Sequence, residues 1–146
     1  LTREAFRGRW SLVFTGFTNC PDICHTTLAL LATVATRLRD RGGELQTVFV
    51  SVDPERDTPS LLAQYVGHFD PDMIGATGPK AQIDRLCAEL GLAYVLNPGA
   101  AGEYTVDHSA ALVLVDPEVR IAAYFQPPYD PDKLATDLAT LAAAQS

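Results

Sequence analysis

Two short apolar runs separated by one long amphipathic stretch dominate the first third of the chain, and their order restricts the fold more than any other feature. Arg9 to Gly16 (RWSLVFTG) is β-branched and aromatic and of strand length. After a polar break at Thr18-Asn19, the stretch from about Asp22 to Arg39 spaces Ile23, Thr27, Leu30, Leu31, Val34 and Leu38 at helical intervals. Gly42-Gly43 ends it, and Leu45 to Val52 (LQTVFVSV) reads as a second buried strand.

The alternation continues. Asp57-Thr58-Pro59 supplies a helix start with proline in the first helical position, and Ser60 to Phe69 is the helix. A short apolar piece, Met73 to Ala76, precedes a helix from about Pro79 to Leu90 with Gly91 as its C-cap. Leu92 to Leu96 is a strand. Asn97 to Asp107 is rich in Gly, Ala and Pro and reads as an aperiodic loop, long enough to carry function and a candidate gate, with His108 at its far end opening the next strand. Ala111 to Val115 and Val119 to Phe125 form an antiparallel hairpin about Asp116-Pro117-Glu118, and Pro131 to Ala144 is a closing helix. Such an order predicts an α/β, thioredoxin-like sandwich, a mixed central sheet flanked by helices on both faces. With 146 residues and no repeats or linkers, residues 1–146 form a single domain, large enough to bury roughly 70% of its unfolded surface.

A net charge of −7 argues against a nucleic-acid surface, which needs clustered Lys and Arg. No run reaches the roughly 18 to 20 apolar residues of a membrane helix, and Leu1 to Trp10 holds no signal-peptide pattern. Because a core strand follows so soon, an N-terminal anchor or signal is expected to lie outside this sequence, and contact with a membrane is expected through that anchor alone.

Three cysteines cannot all pair with one another, so at least one thiol has another task. Cys20-Pro21-Asp22-Ile23-Cys24 puts two of them where the first strand hands over to the first helix, four apart and so on one helical face. The positive helix end lowers thiol pKa values there. Spacing leaves three readings open: a redox disulfide, a metal site, or two structural cysteines. His108 is either a packed strand-end histidine or a third ligand. Two thiolates and an imidazole would suit Cu(I), and can hold Cu(II), better than zinc, which asks for four ligands or for three and a water. Cys87 shares an apolar helical stripe with Ile83, Leu86 and Leu90 and reads as a packing residue, His68 as a partly exposed structural one, and Tyr124, Phe125 and Tyr129 as packing aromatics.

Three motifs in order, Gly16-Phe17-Thr18-Asn19-Cys20-Pro21-Asp22-Ile23-Cys24, Val52-Asp53-Pro54-Glu55-Arg56-Asp57-Thr58-Pro59 and Val106-Asp107-His108-Ser109, resemble those of the Sco/SenC family from about Phe14 to Phe125. The resemblance implies a thioredoxin-like copper chaperone, tethered to a membrane, that serves the CuA centre of cytochrome c oxidase. Its partners would be the CuA-bearing oxidase subunit and a copper donor protein, and its place the periplasm at the inner membrane or, alternatively, the mitochondrial intermembrane space. By motif, Cys20 and Cys24 would be the thiolate ligands and His108 the imidazole ligand of one copper ion, Cu(I) or Cu(II). Asp53 resembles an acidic residue beside the site, with turn formation at Pro54 as the plainer role. Two positions depart from the family pattern: His25 stands where proline is common, as an alternative ligand, a proton carrier or a solvent-facing residue, and Val119 replaces a usual glycine, which predicts an altered turn.

A chaperone performs no turnover of its own. The alternative is a thiol-disulfide oxidoreductase acting on the cysteines of the CuA subunit, with Cys20 attacking and Cys24 resolving. Three residues rather than two between the cysteines, and His108 rather than a proline before the Ala111 strand, speak against a generic oxidoreductase. A peroxidase reading lacks a recognisable Thr or Arg arrangement around Cys20.

Overall fold

The computed structural model describes residues 6–16, 23–40, 45–52, 57–91, 94–98, 104–108, 112–125 and 130–144, with backbone alone for 23–25, 94–98, 104–108 and 141–144. In chain order the elements are β1 (Ser11–Gly16), α1 (Ile23–Asp40), β2 (Gln46–Ser51), α2 (Pro59–Phe69), β3 (Ile74–Ala76), α3 (Lys80–Leu90), β4 (Tyr94–Pro98), β5 (Tyr104–His108), β6 (Leu112–Val115), β7 (Ile121–Phe125) and α4 (Pro131–Ala144). The expected helices fall within a residue or two of these bounds. A five-stranded sheet runs β3-β2-β1-β6-β7, and β4 with β5 makes a separate two-stranded ribbon.

The sheet is mixed because two kinds of connection build it. α1 and α2 carry the chain back between parallel strands, so β1 pairs with β2 and β2 with β3 in parallel. β6 then enters antiparallel beside β1, and a tight turn returns β7 antiparallel to β6. Right-handed crossovers advancing in one direction put α1 and α2 on the same face. There the rings of Phe14 and Phe49 lie 6.0 Å apart, and Tyr65 of α2 packs on Phe49, also at 6.0 Å. α1 contacts both α2 and α4, which places α4 on this face as well.

Val50 follows Phe49 and therefore faces the other way. On that side it shares a cleft with Phe6, Ile83 and Leu86, while Val115 shares the adjoining cleft with Phe6, Leu86 and Leu90, so α3 covers the second face. The central strands are buried on both sides: Leu12, Val13, Phe14, Val48, Phe49 and Val50 are all at most 1% exposed. That double burial explains why their sequence is a continuous apolar run rather than an alternating one.

Caps and turns follow local chemistry. Thr58 caps α2, its Oγ1 accepting from the Leu61 N–H at 3.2 Å, with Pro59 in the first helical turn. Gly91 closes α3 in the left-handed region at φ 70°.

Two expectations need correction. Asn97 to Asp107 is not an aperiodic loop: Asn97 pairs with Thr105 and Pro98 with Tyr104, so both ends belong to the β4–β5 ribbon. His108 accordingly closes β5, paired with Tyr94, and does not open a central strand. The period-two pattern of Tyr104, Val106 and His108 is that of a strand. With that loop goes the candidate gate.

The turn at residues 116–120 is held by Asp116, whose Oδ1 accepts from the N–H groups of Glu118 and Arg120, both at 2.9 Å. Val119 sits there at φ 63°, left-handed backbone that glycine favours and a β-branched side chain resists. The departure at this position therefore shows as a valine in left-handed backbone. Replacing Val119 with Asn, which tolerates this region, is expected to raise stability by about 1 kcal/mol. Urea denaturation measures this, and a loss of stability would show that the packing of Val119 outweighs the strain.

Candidate functional site

The three sequence motifs lie far apart in the chain, and the strands β1 and β2 that lead into the first two end at one edge of the sheet. β1 and β2 are parallel and in register up to Gly16 opposite Ser51, and the Val52 N–H donates to the Gly16 carbonyl at 2.9 Å. Both strands thus run out together, β1 into the cysteine segment and β2 into residues 53–56. β6 is antiparallel to β1, with Val13 opposite Val113, so its start at Leu112 lies at the same edge.

α1 begins there, and Cys24 is its second residue. That places Cys24 in the first helical turn, where unsatisfied N–H groups and the positive dipole end favour a thiolate. His108, the last residue of β5, precedes Leu112 by roughly 14 Å of chain at most. Cys20 and Asp53 lie outside the described residues, as do the side chains of Cys24, His25 and His108. Among the described side chains no three His, Cys, Asp or Glu groups gather as a metal cluster, and the candidate ligands are not among that set.

At this edge the structure adds a pair that the sequence did not single out. The Ser51 hydroxyl donates to Asp57 Oδ2 at 2.6 Å, and the two residues are 0% and 1% exposed. Asp57 was legible as a helix-start signal, and Thr58 is indeed the cap; Asp57 itself ties the end of β2 to the beginning of α2, across residues 53–56. A carboxylate buried this deeply needs hydrogen bonds to its charged form, and a short one from a hydroxyl is among the strongest. Asp57→Ala leaves the Ser51 hydroxyl without this acceptor and is expected to cost about 1–3 kcal/mol in a urea titration. An unchanged midpoint would mean that the bond adds nothing net.

The remaining candidates separate from the site. Cys87 is 4% exposed in α3, on the sheet face opposite α1, with Ile83 and Leu90 buried beside it on the same helix. Burial first, and Asp84 second, push its thiol above the usual range. Its packing role is as expected. In the folded protein Cys87 should therefore resist iodoacetamide near neutral pH and react on unfolding, a difference read by mass spectrometry; rapid native labelling would contradict the burial. His68 is exposed, its ring edge-on to Phe69 at 5.7 Å. Phe125 packs against the core, whereas Tyr124 is 46% exposed and Tyr129 lies outside the described residues.

The fold is that of a thioredoxin-like α/β domain with Cys24 in the first turn of α1 and His108 at the end of the β4–β5 ribbon. The chain belongs to the SCO1/SenC family, whose model matches residues 1–143. Among similar proteins are a candidate copper-binding protein of Stutzerimonas stutzeri, 39% identical over 132 residues (90% of this chain, 65% of that protein), and the mitochondrial SCO1 homolog 1 of Arabidopsis thaliana, 34% identical over 135 residues (92% and 40%). The chain thus spans less than two thirds of the length of these relatives. The crystal structure of Arabidopsis thaliana ScoI with copper bound superposes with a TM-score of 0.93 at 32% identity, covering 99% of this chain and 90% of that one.

Proposed function

We propose that this domain is a metallochaperone that carries one copper ion on Cys20, Cys24 and His108 and delivers it to, or prepares, the CuA centre of cytochrome c oxidase. The observation that supports the reading is that β1 and β2 end level with each other before α1 opens with Cys24, and that β6 begins at the same edge soon after His108, in a family with a copper-bound relative of the same fold. Copper is cargo here. Two thiolates and an imidazole form a soft set that holds Cu(I) and also accepts Cu(II). Three ligands leave a coordination position through which a partner's thiolate can enter, so that affinity and release are compatible.

Each residue has a task in this scheme. The start of α1 would favour the thiolate form of Cys24. Asp53, which lies between Ser51 and Asp57 in the chain, would place a negative charge beside the ion. The partners would be the CuA-bearing oxidase subunit and a copper donor protein. The place would be the periplasm, with the domain held at the inner membrane; the mitochondrial alternative has the Arabidopsis relative's name in its favour. Among the described residues no helix is long and apolar enough to cross a membrane.

The helix-start position of Cys24 also favours a second reading. A thiol-disulfide oxidoreductase would use the same pair, Cys20 attacking a disulfide of the oxidase subunit and Cys24 displacing it, so that the substrate leaves reduced and the pair oxidised.

Anaerobic loading of the reduced domain distinguishes the two. One copper per chain with thiolate-to-copper absorption is expected, abolished in the Cys20→Ser, Cys24→Ser double variant and weakened at least tenfold, about 1.4 kcal/mol, in His108→Ala. Failure to retain copper, together with a readily cycling disulfide, would replace the chaperone reading with the oxidoreductase one.

A further inference from the structure

The ribbon that carries His108 joins the rest of the fold at two roots. One is the C-terminus of α3, where Leu90 ends the helix and Gly91 turns the chain at φ 70° shortly before Tyr94. The other is β6, which begins at Leu112 soon after His108. Tyr94 and His108 are paired, so the base of the ribbon is a closed ladder hung between those roots.

Tyr124 connects the roots directly. It stands opposite Val113 in the β6–β7 ladder, and its hydroxyl donates to the Leu90 carbonyl at 2.8 Å. That carbonyl belongs to the last turn of α3, where acceptors have no intrahelical partner. Gly91 leaves room for the contact: a Cβ there would lie 2.8 Å from the Tyr124 oxygen. The result is a ring closed by one hydrogen bond, running from Leu90 through β4, β5 and His108 to β6, across to β7, and back through Tyr124.

We propose that Tyr124 is a positioning residue for His108. By locking the end of α3 to β6 and β7 it fixes where the base of the ribbon stands relative to the start of α1, and so holds the histidine backbone in register with the cysteine segment. The proposal rests on the reading of His108 as a copper ligand. It predicts that loss of one hydroxyl on an edge strand, outside the three motifs, weakens the copper site through the histidine alone.

Tyr124→Phe keeps the ring and removes the bond. In the copper-free protein, amide hydrogen exchange in β4 and β5 is expected to accelerate at least tenfold while β1 and β2 keep their rates. Copper affinity, measured by competition with a chelator, is expected to fall about tenfold in the otherwise unchanged protein and not at all in the His108→Ala background, the signature of two residues acting as one unit. An equal fall in both backgrounds, or unchanged affinity and exchange, would reduce Tyr124 to an ordinary structural contact and overturn the proposal. If His108→Ala alone leaves affinity intact, the ligand assignment fails and the positioning role falls with it, while the exchange rates still decide whether the bond holds the ribbon.

Discussion

Parallel pairing of β1 with β2, in register from Ser11 opposite Gln46 to Gly16 opposite Ser51, makes two strands end at the same level. Hydrogen bonds in a parallel ladder are evenly spaced, so a slip by one residue would turn every buried side chain to the wrong face. Leu12, Val13, Phe14, Val48, Phe49 and Val50 have no solvent side to turn to, since helices cover both faces. Register is therefore enforced by burial, and it sets Gly16 level with Ser51. Antiparallel β6 then begins at that edge with Leu112.

The energetics separate the scaffold from the edge. Both sheet faces are closed by apolar contacts, worth about 1.5–3 kcal/mol for each large side chain fully buried. At the edge the contacts are polar: Ser51 to Asp57, Val52 to Gly16, Thr58 to Leu61. Cys87, a thiol of the same chemistry as Cys20 and Cys24, is excluded by the scaffold: it lies in the apolar layer beneath α3, where burial keeps it protonated.

Most elements were legible because their patterns are strong. The run LVF in β1 and the run VFV in β2 have the continuous apolar character of doubly buried strands, and α1 to α4 show helical spacing with recognisable starts or stops at Thr58-Pro59 and Gly91. The β4–β5 ribbon was not legible as a ribbon. Its strands include Asn97, Pro98, Thr105 and Asp107, which read as loop residues, and their pairing gives them a partner that no local pattern announces. Tyr124 was read as one of several packing aromatics, because a hydroxyl that reaches a carbonyl 34 positions away leaves no trace in local spacing. Val119 marks the opposite case, a residue disfavoured by its local conformation and held there by the turn that Asp116 organises.

By itself the sequence determined the class of fold, the order of the elements and the chemistry available, two cysteines at a helix start and a histidine within a third motif. These depend on residue type and short-range periodicity, which are local properties. The tertiary structure decided that β1 and β2 end level with each other, that His108 ends a paired ribbon instead of following a free loop, that Ser51 bonds Asp57, and that Tyr124 bonds the Leu90 carbonyl. Those outcomes depend on strand register and on hydrogen bonds between residues distant in the chain, and such contacts exist once burial has fixed the sheet.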